Sequence, residues 1–61
     1  MKKTFYYTLD LELIRVYSIE NNIPTEICRF YKGKVVNLNT MVKSYLIERN
    51  YSDENIEVEK L

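Results

Sequence analysis

The segment that decides the fold is Phe5–Leu13, which reads FYYTLDLEL. All of its odd positions are apolar or aromatic, whereas three of its four even positions are polar. A period of two is typical of a half-buried strand, and aromatic side chains favour a pleated surface. The alternation changes phase at Leu13-Ile14, which predicts a bulge or a tight reversal at that point.

Downstream of this segment, the sequence predicts further strands and turns. A second strand is expected over Ile14–Ile19. A turn should follow at Asn21–Pro24, because Asn tolerates a left-handed backbone and Pro fixes φ. A third strand is expected over Thr25–Tyr31. Lys32-Gly33 is expected to form the tip of a hairpin, and residues 34–36 are expected to form a short returning strand.

Helical periodicity begins after Asn37. Five apolar side chains recur at the spacing of one helix face: Leu38, Met41, Val42, Tyr45 and Leu46. Asn37 or Asn39 can cap the first turn of this helix, and Asn50 can adopt the left-handed conformation that ends it. Strict alternation resumes over Ile56–Glu59, which predicts a last strand.

Together these patterns predict an α+β fold in one domain, residues 1–61. The fold is a small antiparallel β-meander of three to four strands, with one helix (about residues 38–49) packed on it and a C-terminal strand. A competing interpretation makes residues 9–22, 25–32 and 37–49 three helices, with the Asn21–Pro24 turn inside a helix-turn-helix.

The composition argues against catalysis and against cofactors. The 61 residues include no His and a single Cys, so neither a Cys/His pair nor a zinc ligand set can be built from one chain. The single Gly excludes a glycine-rich phosphate loop. Asp10 and Glu12 occupy the polar side of a strand alternation, which is typical of a solvated face. We therefore expect a protein that is not an enzyme and that holds no metal or cofactor.

A surplus of tyrosine favours protein binding instead. The chain has six tyrosines, too many for one small core to bury with their hydroxyls satisfied, and tyrosine is enriched at interfaces. Ile47 should lie opposite Leu38 on the polar side of the helix, and Arg49 should fall near the centre of its apolar stripe. The residues expected at a partner interface are Tyr6, Tyr17, Tyr31, Ile47, Arg49 and Tyr51.

These observations predict a small protein-interaction module that binds another protein and forms a homodimer, by β-pairing at an exposed edge strand. Residues with AT-rich codons far outnumber those with GC-rich codons, so an inhibitor or regulator of a host protein, encoded by an AT-rich bacterium, phage or plasmid, is a specific form of this hypothesis. No apolar run approaches the ~20 residues of a membrane span, and no signal peptide is recognisable. A cytoplasmic location is therefore expected.

Two other functions stay open at this point. The segment Arg29–Lys34 alternates cations with aromatics, as nucleic-acid-binding surfaces do. A small DNA- or RNA-binding regulator would use Arg29, Phe30, Tyr31, Lys32 and Lys34. Against this, the nine basic residues are balanced by nine acidic ones. A dimer that binds a nucleotide or another small molecule would need a pocket that sequence does not reveal.

Overall fold

The computed structural model describes residues 2–34 and 36–61, which form a four-stranded sheet with one helix. The elements in chain order are β1 (Lys3–Asp10), β2 (Leu13–Glu20), β3 (Ile23–Tyr31), α1 (Leu38–Glu48) and β4 (Ile56–Lys60). The strand order is β3-β2-β1-β4. The first three strands form an antiparallel meander, and β4 pairs with β1 in parallel. The predicted α+β class, the meander, the helix and the C-terminal strand are thus confirmed.

The three-helix alternative is wrong, since two of its three segments are strands in the structure.

The two meander turns differ in how well the sequence predicted them. Asn21 and Asn22 both have positive φ, at 53° and 65°, as a type I′ hairpin turn requires. The first reversal is instead at Leu11-Glu12, two residues before the expected phase change. Leucine is not a turn former, so no residue type indicated this turn.

The predicted short strand over residues 34–36 is wrong for the residues that the structure describes. Lys34 lies in a turn and Val36 lies in a loop with its side chain 97% exposed. Val35 lies outside the described residues. The chain needs this stretch to pass from the end of β3 to the N-terminus of α1, because Asn37 caps the helix directly afterwards.

Asparagine occupies the predicted position at each end of α1: Asn37 is the N-cap, and Asn50 follows the C-cap residue Arg49. The side chain of Asn37 accepts a hydrogen bond from the Thr40 amide at 3.0 Å. At the other end Asn50 has a φ of 62°, and its amide donates to the Ile47 carbonyl at 3.2 Å. The next amide, that of Tyr51, donates to the Leu46 carbonyl at 2.9 Å. These two bonds form a Schellman motif, which satisfies carbonyls that the helix end leaves open.

The core lies between α1 and one face of the sheet. Its buried side chains are Phe5, Tyr7, Ile14, Val16, Val42, Leu46 and Ile56. A polar link also joins the two layers: the Tyr7 hydroxyl donates to Asn39 Oδ1 at 2.5 Å, and Asn39 Nδ2 donates to the Val58 carbonyl at 3.3 Å. These bonds tie the first turn of the helix to β1 and β4. Among the described residues, no helix has the length and apolar character that crossing a membrane requires.

Candidate protein-interaction surfaces

No part of residues 2–34 and 36–61 covers the face of the sheet that turns away from α1. Strand registers place its side chains on the same side, and we call this surface the open face. Its members are Thr4, Tyr6, Thr8 and Asp10 on β1, Leu13, Arg15, Tyr17 and Ile19 on β2, Pro24, Glu26, Arg29 and Tyr31 on β3, and Glu57 and Glu59 on β4.

Two tyrosines occupy the centre of the open face. Tyr6 and Tyr17 are directly opposite each other on the two central strands, and each is half-buried by its neighbours. Tyr7, next to Tyr6 in the chain, points into the core and is 3% exposed. This arrangement follows from the alternation of side chains along a strand, which requires adjacent tyrosines to face opposite sides.

A β-bulge in β3 brings charged groups to the open face. Glu26 pairs with Tyr17 and Cys28 with Val16, so Ile27 is an extra residue that packs toward the core. One extra residue reverses the side-chain alternation that follows it. Glu26 precedes the bulge and Arg29 follows it. Their side chains therefore share one face of the sheet although they are three positions apart.

The carboxylate of Glu26 lies between two arginines. Its Oε2 accepts hydrogen bonds from Arg29 Nε at 2.9 Å and from Arg29 Nη2 at 2.6 Å. Its Oε1 is 3.6 Å from Arg15 Nε, which is shielded from solvent and makes no hydrogen bond within the described chain. Arg15 and Arg29 are directly opposite each other, a repulsive arrangement that the shared carboxylate offsets.

One end of the open face carries apolar side chains around a depression. A cleft of about 480 Å³ is lined by Asp10, Leu11, Glu12, Leu13 and Tyr31, and we call it the tip cleft. Leu11 is 89% exposed and Tyr31 is 74% exposed. The Lys32 amide donates to the Glu12 carbonyl at 2.9 Å, which fastens the end of β3 to the β1–β2 turn. The tip cleft therefore exposes apolar side chains, and a backbone hydrogen bond holds its two sides together.

Arg49 and Tyr51 lie on the other side of the sheet, beside an aromatic column. Phe30 and Tyr45 stack with ring centroids 3.9 Å apart, and Tyr51 lies 6.5 Å from Tyr45. The Arg49 guanidinium lies over the Tyr45 ring at 4.9 Å from its centroid, a cation–π geometry. Arg49 is the residue at the helix C-cap, and it lies beside Tyr45, a member of the helical stripe on which the sequence placed it.

The expected position of Ile47 on the polar side of α1 is wrong. Ile47 is half-buried and packs against the core cluster. The buried side chains of the helix are Val42 and Leu46, so the face that meets the sheet is rotated away from Leu38 toward Asn39. The six residues expected at one interface are consequently divided: Tyr6, Tyr17 and Tyr31 are on the open face, Arg49 and Tyr51 are on the helix side, and Ile47 is half-buried against the core.

The segment considered for nucleic-acid binding is also divided by the alternation of β3. Phe30 faces the helix and stacks on Tyr45, so its ring is not available to a base. Arg29 is on the opposite side, with its guanidinium bound to Glu26. Tyr31, Lys32 and Lys34 are what remains for such a contact. The geometry thus weakens the case for a stacking platform that the sequence suggested.

Cys28 packs against the core as a small apolar residue, which is how a free cysteine commonly behaves. Burial, and to a smaller extent the negative charge of Glu26, raise the pKa of its thiol above the ordinary value. A raised pKa keeps the thiol protonated and unreactive. Within residues 2–34 and 36–61, no three His, Cys, Asp or Glu side chains are grouped in a way that could hold a metal ion.

The sequence did not point to Leu11, Leu13 or the bulge at Ile27 as parts of a surface. Leu11 and Leu13 continue the apolar odd positions of β1, so the sequence pattern did not distinguish them from core residues. Comparison of the chain with protein families, with curated proteins and with solved structures finds no match. The geometry of the surfaces is therefore the basis for the function proposed below.

Proposed function

We propose that this chain is a small non-catalytic protein-interaction module that acts in the cytoplasm as an inhibitor or regulator of a host protein. The residue composition supports a gene from an AT-rich bacterium, phage or plasmid. The lack of histidine and the inert environment of the one thiol support a binding role over catalysis. Among the surfaces described, the tip cleft is the best supported contact for the host protein.

The observation that carries this proposal is the backbone of Leu11. Its φ is 57°, a conformation that costs a side-chain-bearing residue about 1–2 kcal/mol. The corresponding position of the other hairpin turn is Asn21, a residue that tolerates this conformation. The Leu11 side chain lies outside the core, so its burial does not offset the strain. Strain of this kind accumulates where a residue serves a function, and here that function is contact with another molecule.

The surroundings of Leu11 specify the chemistry of the partner. Tyr31 and Leu13 extend the apolar surface, while Asp10 and Glu12 place a carboxylate on either side of Leu11 in the chain. A complementary partner offers an apolar side chain or pocket with basic groups at its rim. Complete burial of a leucine side chain contributes about 1.5–3 kcal/mol, so Leu11 and Tyr31 can act as anchors of an interface.

Site-specific photo-cross-linking in the native host tests this function. A photoreactive residue is placed at Leu11 and, as a matched control, at Ser44, which is exposed on α1. We expect one host protein to be cross-linked from position 11 and not from position 44. Its complex with this protein should form again from purified components, and Leu11→Asp should weaken that complex at least about tenfold.

Three results would contradict the proposal: nucleic acid as the cross-linked product, equal products from both positions, or no product from position 11. If Leu11→Asp leaves the affinity of the purified complex unchanged, the contact does not lie at the tip cleft.

A further inference from the structure

The open face lacks a covering layer although its centre is aromatic. Tyr6 and Tyr17 lie side by side on the two central strands, and Leu13 and Ile19 extend this surface toward the two ends of β2. Ile19 is 38% exposed. A thin core of this kind gains stability when a second layer covers the remaining face of the sheet.

The two edges of the sheet discourage the β-pairing that the sequence suggested for a dimer. β3 carries Pro24, which has no amide to donate, and the bulge at Ile27 interrupts its regular ladder. β4 has five residues and carries Glu57, Glu59 and Lys60. Proline, bulges, charges and short length are the features by which natural edge strands avoid pairing with another chain.

The charges on the open face are arranged in two unlike halves. The half formed by β2 and β3 carries Arg15, Arg29 and Glu26. The half formed by β1 and β4 carries three carboxylates, those of Asp10, Glu57 and Glu59, of which Glu57 is 4.0 Å from Lys2 Nζ. A twofold axis parallel to the strands places the first half of one copy over the second half of the other. The open face is therefore complementary to itself.

Strand registers identify the charges that such an axis brings together. Glu59 is level with Tyr6, and Arg29 is level with Thr8. These two levels are two residues apart along β1, a distance of about 7 Å. β4 of one copy lies over β3 of the other, so Glu59 of each copy is within side-chain reach of Arg29 of its counterpart. Glu26 is level with Glu59, but its single carboxylate is outweighed by the two guanidinium groups that flank it, those of Arg15 and Arg29.

The area of the open face is sufficient for a specific interface. The four strands contain 8, 8, 9 and 5 residues in chain order. At about 3.3 Å per residue and a strand spacing of about 4.8 Å, the sheet covers roughly 480 Å² per copy. Two such faces bury about 1,000 Å² in total, which is the lower limit expected of a specific contact. From the aromatic centre, the protected edges, the charges and the area, we infer that the open face binds the open face of a second copy, with a twofold axis parallel to the strands.

Charge-exchange variants of the purified protein test this arrangement. Glu59→Arg and Arg29→Glu each bring like charges together twice in a homodimer, so each should raise the dissociation constant of the dimer at least about tenfold. An equimolar mixture of the two variants restores both opposite-charge pairs, and it should form a heterodimer. Sedimentation velocity over about 1–500 µM gives the mass of each species. Ser44→Arg on the exposed side of α1 is the control, and it should leave association unchanged.

A wild-type protein that stays monomeric throughout this range overturns the inference. A dimer that tolerates both charge variants overturns it as well, because its contact then lies on another surface. Circular dichroism of each variant shows whether a loss of association reflects unfolding, and recovery in the mixture excludes that explanation. The tip cleft shares Asp10, Leu13 and Tyr31 with the open face. The experiment uses this protein alone, so its outcome does not depend on whether a host protein binds the tip cleft.

Discussion

Replacement of Leu11 by glycine should make the isolated protein more stable. The residue has a φ of 57°, and Glu12 does not share this positive φ, which is the pattern of a type II′ turn with its preference for glycine at the first central position. Relief of the left-handed strain contributes about 1–2 kcal/mol. The greater freedom of glycine in the unfolded chain removes about 0.5–1 kcal/mol of this. The 11% of the side chain that is buried contributes only about 0.2 kcal/mol.

The matched control is Asn21→Gly, at the first central position of the other hairpin turn, where φ is 53°. Asn tolerates this conformation, so the substitution relieves little strain. Its main effect is to increase the conformational entropy of the unfolded chain, which lowers stability. We expect Leu11→Gly to raise the free energy of unfolding by about 0.5 kcal/mol and Asn21→Gly to lower it by a similar amount. A difference of about 1 kcal/mol corresponds to about 4–8 °C in Tm for a chain of this size.

Urea unfolding followed by circular dichroism measures both variants, at one low protein concentration because association stabilises the folded state. Leu11→Ala, which keeps a Cβ, should show no stabilisation. Equal destabilisation by glycine at positions 11 and 21 would refute the strain argument. The proposed function adds a second expectation: Leu11→Gly should weaken binding to the host protein while it stabilises the fold, as expected of a residue retained for function.

Three further substitutions probe the fold and the thiol. Tyr7→Phe should lower the free energy of unfolding by about 1–2 kcal/mol, because it removes the partly buried bond to Asn39; an unchanged urea midpoint would contradict that bond. Asn37→Ala removes the acceptor for the Thr40 amide and should lower the free energy of unfolding by about 1 kcal/mol in the same assay. An unchanged free energy of unfolding would mean that Asn37 does not cap the helix. The raised pKa of Cys28 favours the folded state below the ordinary thiol pKa, and this contribution declines as pH rises past that value. Cys28→Ser should therefore flatten the alkaline side of the stability profile, and native Cys28 should react with iodoacetamide more slowly than in urea.

The local patterns of the sequence were sufficient to predict the elements of this fold. The alternation from Phe5, the helical stripe from Leu38 and the asparagines at positions 37 and 50 each depend on a few neighbouring residues. The energies behind them, which are capping hydrogen bonds and the burial of one side of a strand or helix, are local too. For that reason the strands, the helix and its caps were predictable.

The arrangement of the surfaces depended on features that a periodic pattern does not contain. A single extra residue at Ile27 reverses the alternation of β3, and the sequence carries no mark of it because Ile27 and Cys28 are both apolar. Ordinary alternation places Arg29 and Phe30 on opposite sides of the sheet, and the bulge brings Glu26 to the same side as Arg29. The nucleic-acid hypothesis read these residues as one continuous strip, which the tertiary structure divides between two sides of the sheet.

The amino-acid sequence by itself determined that this protein has an α+β fold with more tyrosine than its core can bury. Only the tertiary structure decided where the surplus lies, because strand order and register depend on pairing between distant segments. Pairing of β1 with β2 places Tyr6 beside Tyr17, and the docking of α1 on the sheet leaves Ile47 half-buried against the core. The two-residue hairpin turn leaves Leu11 in solvent with a strained backbone.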